Sequence, residues 1–142
     1  MEEIVEQPKK LTCPICTAPM HPQAKLCPRC RKLVSRVDMR GKPDREARIR
    51  ALRQAWDGEG FRCYFTGVRV VESGHGDPRY LTFDHLTPRD EHTVVVAAAC
   101  INDMKSDLSD GEFRAVVKAL ASRFSGGEFD ERVLELTHWK RG

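Results

Sequence analysis

The sequence has no long apolar run. No stretch of its 142 residues approaches the roughly 20 consecutive apolar residues that a membrane-spanning helix needs. Its first ten residues, MEEIVEQPKK, are acidic and then basic, and they lack the apolar core of a signal peptide. These absences predict a soluble, cytoplasmic protein with no membrane as a partner.

Internal repeats and low-complexity tracts are also missing, and the chain is short. A chain of 142 residues has room for one modest hydrophobic core and one small appended module. The DGEG segment at 57–60 carries two glycines between patterned segments, so it marks the expected boundary between modules.

Cysteine is scarce, with six residues in the chain, and its placement is uneven. Cys63 and Cys100 stand alone, whereas four cysteines form two Cys-x-x-Cys pairs ten residues apart: Cys13, Cys16, Cys27 and Cys30. In a cytoplasmic chain such pairs favour metal-bound thiolates over disulfides. Two pairs at this spacing are typical of a structural zinc ion, whose coordination energy replaces a hydrophobic core in so short a segment.

A redox role for either pair is the alternative, but it requires a Cys-x-x-Cys that opens a helix within a βαβ unit. With all four thiolates bound, the zinc has no open coordination position. We therefore expect the zinc to be structural and not catalytic.

Basic residues are concentrated in one part of the chain. Residues 25–53 contain eleven Lys and Arg against three Asp and Glu, whereas residues 54–142 contain eleven against fifteen. Such a cluster is expected of a protein that binds the phosphate backbone of a nucleic acid, although an ordinary solvated helix face is the alternative. The candidate contacts in this segment are Arg29, Arg31, Lys32, Arg45, Arg48 and Arg53.

Local patterns predict helices and strands in alternation. Asp44 is placed as the N-cap of a helix, with Ile49, Leu52 and Trp56 at helical spacing. The predicted strands are 61–71, with a turn or bulge at Thr66-Gly67, and then 80–86 and 93–99, which we expect to pair as an antiparallel hairpin.

Helices are expected after the hairpin. A short one begins at Asn102, and a longer one opens with a capping box from Ser109 to Glu112. The longer helix has an apolar stripe that we expect to be core: Phe113, Val116, Val117, Leu120 and Phe124. A further short helix is expected within residues 129–140.

The predicted hairpin and the helix after it would bring four functional side chains together. Asp84 and His85 end the first strand, and Asn102 and Lys105 begin the helix. A carboxylate and an amide oxygen are suitable ligands for Mg²⁺, and a neutral imidazole accepts a proton near neutral pH. Each residue alone has a structural alternative: a turn cap for Asp84, a core histidine for His85 and a helix N-cap for Asn102.

The segments FDHLTP, 83–88, and CINDMKSD, 100–107, resemble the ββα-metal core of the HNH endonuclease family. The resemblance covers about residues 61–110. It implies that Asp84 and Asn102 bind a catalytic Mg²⁺ or Mn²⁺, that His85 is the general base, and that Lys105 contacts a phosphate oxygen. The implied reaction is phosphodiester hydrolysis that leaves a 5′-phosphate and a 3′-hydroxyl.

The implied fold is α+β. It comprises a tail at 1–10, a zinc ribbon at 11–33, a basic linker and helix at 34–58, an HNH-like ββα-metal core with its packed helix at 59–125, and an extension at 126–142. DNA is the expected substrate, and the zinc ribbon is a possible contact for a protein partner.

Two departures from the family pattern keep other functions open. The family's middle asparagine would fall near His92 or Thr93, and neither is asparagine. Many members of the family carry a second structural zinc, held by four cysteines on either side of the motif. Here Thr66 stands where one of those thiols would be, so Cys63 and Cys100 are not expected to be ligands. One alternative is a nucleic-acid-binding protein without catalysis, and another is an adaptor that docks on a larger assembly.

Overall fold

The computed structural model describes residues 11–36 and 43–137, which form helices and one small sheet. The elements are α1 (Pro28–Val34), α2 (Arg45–Ala55), β1 (Leu81–His85), β2 (Val94–Ala98), α3 (Ala99–Lys105), α4 (Asp110–Phe124) and α5 (Arg132–Leu136). This mixture agrees with the predicted α+β class at a coarse level. None of the described helices has both the length and the apolar character needed to cross a membrane. The predicted tail at 1–10 and the chain end at 138–142 lie outside the described residues.

The predicted hairpin is confirmed. β1 and β2 pair antiparallel, with Leu81 opposite Ala98 and His85 opposite Val94. All five residues of β2 are buried, as expected for a Val- and Ala-rich strand covered on both faces. A 3₁₀ turn over Glu91–Thr93 precedes β2 and completes the connection.

The helix after the hairpin begins earlier than predicted. α3 follows β2 directly, with Ala98 at the N-cap position, so Asn102 lies inside the helix and is not its N-cap. The structural alternative for Asn102 is therefore wrong, and its side chain is directed to other partners.

The helix predicted after Asp44 is confirmed as α2. Asp44 Oδ1 accepts a hydrogen bond from the Ala47 N–H at 2.8 Å, and Ala47, Ala51 and Leu52 are buried. The same core cluster extends from Ile15 and other residues of the cysteine-rich segment through α2 to both strands. The two predicted modules therefore share one core across the 57–60 boundary.

The segment predicted as a strand at 61–71 is not a continuous strand, but the turn predicted within it at Thr66-Gly67 is confirmed. A turn around Gly67, whose φ is 71°, folds this segment back on itself, and the Cys63 N–H donates to the Val68 carbonyl at 2.8 Å. Arg62 consequently forms an isolated bridge with Arg69 and does not join the β1–β2 sheet.

The capping box of α4 is confirmed, but the predicted core stripe along this helix is wrong. Ser109 Oγ accepts from the Glu112 N–H at 3.1 Å, and Phe113 packs edge-on against Phe65. Farther along α4, however, Val117 and Phe124 are 43% and 82% exposed. Ala119, which is not part of the predicted stripe, is the buried residue of α4, so the helical periodicity correctly predicted a helix but not which side chains are buried.

Candidate functional site

The two Cys-x-x-Cys pairs meet at one buried point. The four sulfur atoms of Cys13, Cys16, Cys27 and Cys30 all lie within 4.8 Å of one another, and the Sγ atoms of Cys16 and Cys27 are 3.5 Å apart. A tetrahedral zinc with Zn–S bonds of about 2.3 Å separates its sulfurs by roughly 3.8 Å. The cluster therefore fits a four-thiolate zinc site, as the spacing predicted.

Local backbone structure places these four thiols. The first pair lies in a turn closed by a bridge between Thr12 and Pro19, and the second straddles the start of α1, where Cys27 Sγ accepts from the Cys30 N–H at 3.4 Å. This helix start was not predicted from the sequence.

Burial and the crowding of the four thiols shift their pKa values. Burial raises the pKa of Cys13, but backbone hydrogen bonds from Cys27, Cys16 and Ile15 outweigh it and lower the pKa to about 6. Burial raises the pKa of Cys16 and of Cys30 above the ordinary value of 9.0. Crowded thiols cannot all ionise without a neutralising cation, and a divalent metal provides one.

Arg29 connects the cysteine-rich segment to the rest of the core. Its Nε donates to Glu72 Oε1 at 2.7 Å, its second nitrogen also bonds Glu72, and its guanidinium lies 5.2 Å from the centre of the Trp56 ring. The Arg29 guanidinium, which was predicted to contact phosphate, thus already has partners within the protein.

Asp84 and Lys105 form a buried ion pair beside the end of β1. Lys105 Nζ lies 3.2 Å from Asp84 Oδ2 and 3.4 Å from Oδ1, and it donates to the His85 carbonyl at 2.9 Å. Their exposed fractions are only 7% and 1%. The predicted contact of Lys105 with phosphate is therefore wrong for this conformation, because a buried ammonium requires protein partners.

The carboxylate of Asp84 retains capacity for another ligand. Although Oδ2 lies within ion-pair distance of Lys105, it accepts no hydrogen bond from the described residues. Burial raises the pKa of Asp84, and Lys105 offsets part of that rise. A buried carboxylate oxygen without a hydrogen bond fits a second cation, such as a divalent metal.

Asn102 is directed onto the same strand. Its Nδ2 donates to Thr82 Oγ1 at 3.1 Å and to the Phe83 carbonyl at 3.2 Å. Because a carbonyl can only accept, the amide nitrogen faces the strand, and the amide oxygen is the atom that would bind a metal. Thr82 and Asp84 are two residues apart in β1, so their side chains lie on the same face of the strand. Asn102 and Lys105 are about one turn apart on α3, and they contact these two neighbouring positions.

His85 is held by Glu91, which the sequence pattern does not identify as a functional residue. Its Nε2 lies 2.9 Å from Glu91 Oε1, and its side chain is 19% exposed. His92, which lies near the position of the family's middle asparagine, is exposed, and its backbone N–H donates to Asp90 Oδ1 at 3.0 Å. Only the register of the 86–93 connection determines that Glu91 and not His92 reaches His85, and no local sequence signal reveals it.

The two isolated cysteines occupy different environments. Cys63 is buried next to Thr66, whereas Cys100 is exposed on α3. Burial raises the pKa of Cys63, but hydrogen bonds, first that of the Thr66 side chain, lower it overall. Thr66 thus contacts Cys63 from the position where a partner thiol would stand.

The predicted phosphate contacts fall into distinct groups. Arg48 is buried, donates to the Val34 carbonyl and to the Asp44 carbonyl, and is not available to a nucleic acid, so this prediction is wrong. Arg53 is exposed but donates to the Pro14 carbonyl at 3.1 Å. Within residues 11–36 and 43–137, three of the predicted contacts are exposed and have no side-chain partner: Arg31, Lys32 and Arg45.

No protein-family model, curated protein or solved structure matches this chain.

Proposed function

We propose that this protein is a metal-dependent endonuclease that hydrolyses phosphodiester bonds in DNA, with an HNH-like ββα core. One observation carries the proposal. α3 crosses β1 so that Asn102 bonds to Thr82 and Phe83 while Lys105 bonds to Asp84 and His85. α3 thus brings the side chains of Asn102 and Lys105 onto β1, beside the Asp84 carboxylate and the backbone of His85.

His85 is the proposed general base. With Nε2 facing the Glu91 carboxylate, Nδ1 is the ring nitrogen that would take a proton from the attacking water. General-base assistance of this kind contributes about 10²- to 10⁴-fold in rate. The imidazole is partly exposed, so water and a phosphodiester can approach it.

Asp84 and Asn102 are the proposed protein ligands of Mg²⁺ or Mn²⁺. Such an ion, when bound, stabilises the charge that develops on the phosphate and leaving oxygens. Lys105 has a different role from the one the resemblance implied. It anchors the Asp84 carboxylate and the backbone of His85, and thereby fixes the positions of the proposed ligand and base.

The remaining parts of the chain would hold the substrate. A structural zinc in the Cys13, Cys16, Cys27 and Cys30 cluster would order the N-terminal segment, and the exposed Arg31, Lys32 and Arg45 would contact the phosphate backbone. Such contacts give affinity with little sequence preference and a strong salt dependence.

Cleavage of supercoiled plasmid tests the proposal. The protein is first dialysed to remove loosely bound divalent ions, a treatment that leaves the zinc in place. It is then assayed with and without Mg²⁺ or Mn²⁺. We expect metal-dependent nicking that falls about 10²- to 10⁴-fold in His85→Ala. His92→Ala, which removes an exposed histidine from the same connection, is the matched control and should cleave normally. Equal activity of the two variants would contradict the assignment of His85.

A second candidate function is DNA binding without cleavage. The observation that favours it is the Asp84–Lys105 ion pair, since the ammonium already neutralises the carboxylate that a catalytic metal would need. Salt-sensitive DNA binding by a wild-type protein that does not nick plasmid under any of these metal conditions would support this second function.

A further inference from the structure

We infer that Glu91 is the positioning residue for His85: its carboxylate holds the imidazole with the proton on Nε2 and leaves Nδ1 to accept a proton. This inference rests on the proposed function, in which His85 is the general base. Its structural basis is the 2.9 Å contact between Nε2 and Oε1. An ionised carboxylate only accepts hydrogen bonds, so the shared proton belongs to the ring nitrogen.

Glu91 is suited to this role because it is itself anchored. Its second oxygen, Oε2, accepts from the Asp44 N–H at 2.8 Å, and its backbone carbonyl accepts from Arg50 at 3.1 Å. One partner is the N-cap of α2 and the other lies in the middle of that helix. The carboxylate therefore connects His85 to a helix packed on the sheet, and the ring is held in one orientation by groups outside its own strand.

The charge of Glu91 agrees with this arrangement. The hydrogen bond from His85 and then that from Asp44 lower the pKa of Glu91 below its ordinary value of 4.5, so the side chain is an acceptor-only carboxylate at neutral pH. A carboxylate that accepts from the distal N–H of a histidine fixes the tautomer and the ring orientation, and removing such a partner typically costs about 10- to 100-fold in function.

The contact can be tested without a cleavage assay. In long-range ¹H–¹⁵N spectra of the histidine rings, His85 should show a protected Nε2–H proton. The signal should disappear in Glu91→Ala and persist in His92→Ala, which removes an exposed side chain from the same turn. A His85 ring whose spectrum is the same in wild type and Glu91→Ala would overturn the inference.

A double-mutant cycle then separates positioning from a purely structural role. Glu91→Ala should lower kcat about 10- to 100-fold with little change in KM, and it should have no further effect when added to His85→Ala. Wild-type kcat in Glu91→Ala would overturn the role of Glu91 while leaving the nuclease in place. Absence of cleavage by the wild type would instead overturn the proposed function, and the ring spectra would then still report whether the contact exists.

Discussion

Lys105 Nζ lies 3.2 Å from Asp84 Oδ2, and both side chains are almost completely buried. The pair joins α3 to the end of β1, where the proposed base, His85, directly follows Asp84. The sequence pattern assigned the two charges to different partners, a metal and a phosphate. In the structure the two charges form an ion pair with each other.

The ion pair predicts strong coupling between Asp84 and Lys105. Asp84→Leu or Lys105→Met alone should lower the free energy of unfolding by about 3–5 kcal/mol, because each leaves a buried charge without its counterion. The double variant should be close to wild type, since an apolar pair of similar size avoids both desolvation costs. Urea unfolding of the four proteins measures the coupling, and a double variant whose loss equals the sum of the single losses would show that the two charges are independent.

Local patterns predicted the elements of this fold better than its contacts. The cysteine pairs, the Asp44 cap and the hairpin were all identifiable because each depends on residues close in the chain or on alternation along a strand. The contact between His85 and Glu91 depends instead on how the 86–93 connection folds back, and the alternation of strand residues does not determine that.

The sequence also did not reveal that Arg48 is buried. Arg48 lies on a helix whose other arginines are exposed, but it is buried, and it donates to the Val34 carbonyl at the end of α1. The end of α4 shows the opposite case, in which apolar side chains predicted to be buried are exposed. An apolar stripe identifies a helix face, but whether the face is covered depends on which element packs against it.

Zinc removal should unfold more than the cysteine-rich segment. Ile15, Leu33 and the four cysteines belong to the same core cluster as Leu52 and Phe83, so loss of the metal exposes a shared core. We expect one zinc per chain, and a loss of at least about 5 kcal/mol on chelation or in Cys30→Ser, which corresponds to a Tm decrease of roughly 15 °C. Metal content and thermal unfolding measure both, with exposed Cys100→Ser as the control that should change neither.

The depressed pKa of Glu91 predicts a pH-dependent contribution to stability. Because the folded pKa lies below the ordinary 4.5, the contribution is complete above that value and is lost as the pH falls through the folded pKa. The urea midpoint of Glu91→Gln should thus lie below that of the wild type at pH 7, and the difference should shrink below about pH 4.5. Glu46→Gln, an exposed carboxylate on α2, is the matched control, and a Glu91 difference that is constant from neutral to acidic pH would contradict the prediction.

The exposed cations of α1 predict where a nucleic acid binds. Arg31 and Lys32 have no side-chain partner within the described part of the chain, so both can contact phosphates. In Arg31→Ala/Lys32→Ala, the slope of log K against log salt for duplex DNA should decrease in magnitude by roughly 2, because each lost phosphate contact removes about 0.9. Lys118→Ala/Arg123→Ala removes two exposed cations from α4 and should leave the slope unchanged. Fluorescence anisotropy at several salt concentrations measures both, and equal slopes in the two double variants would place the DNA on another surface.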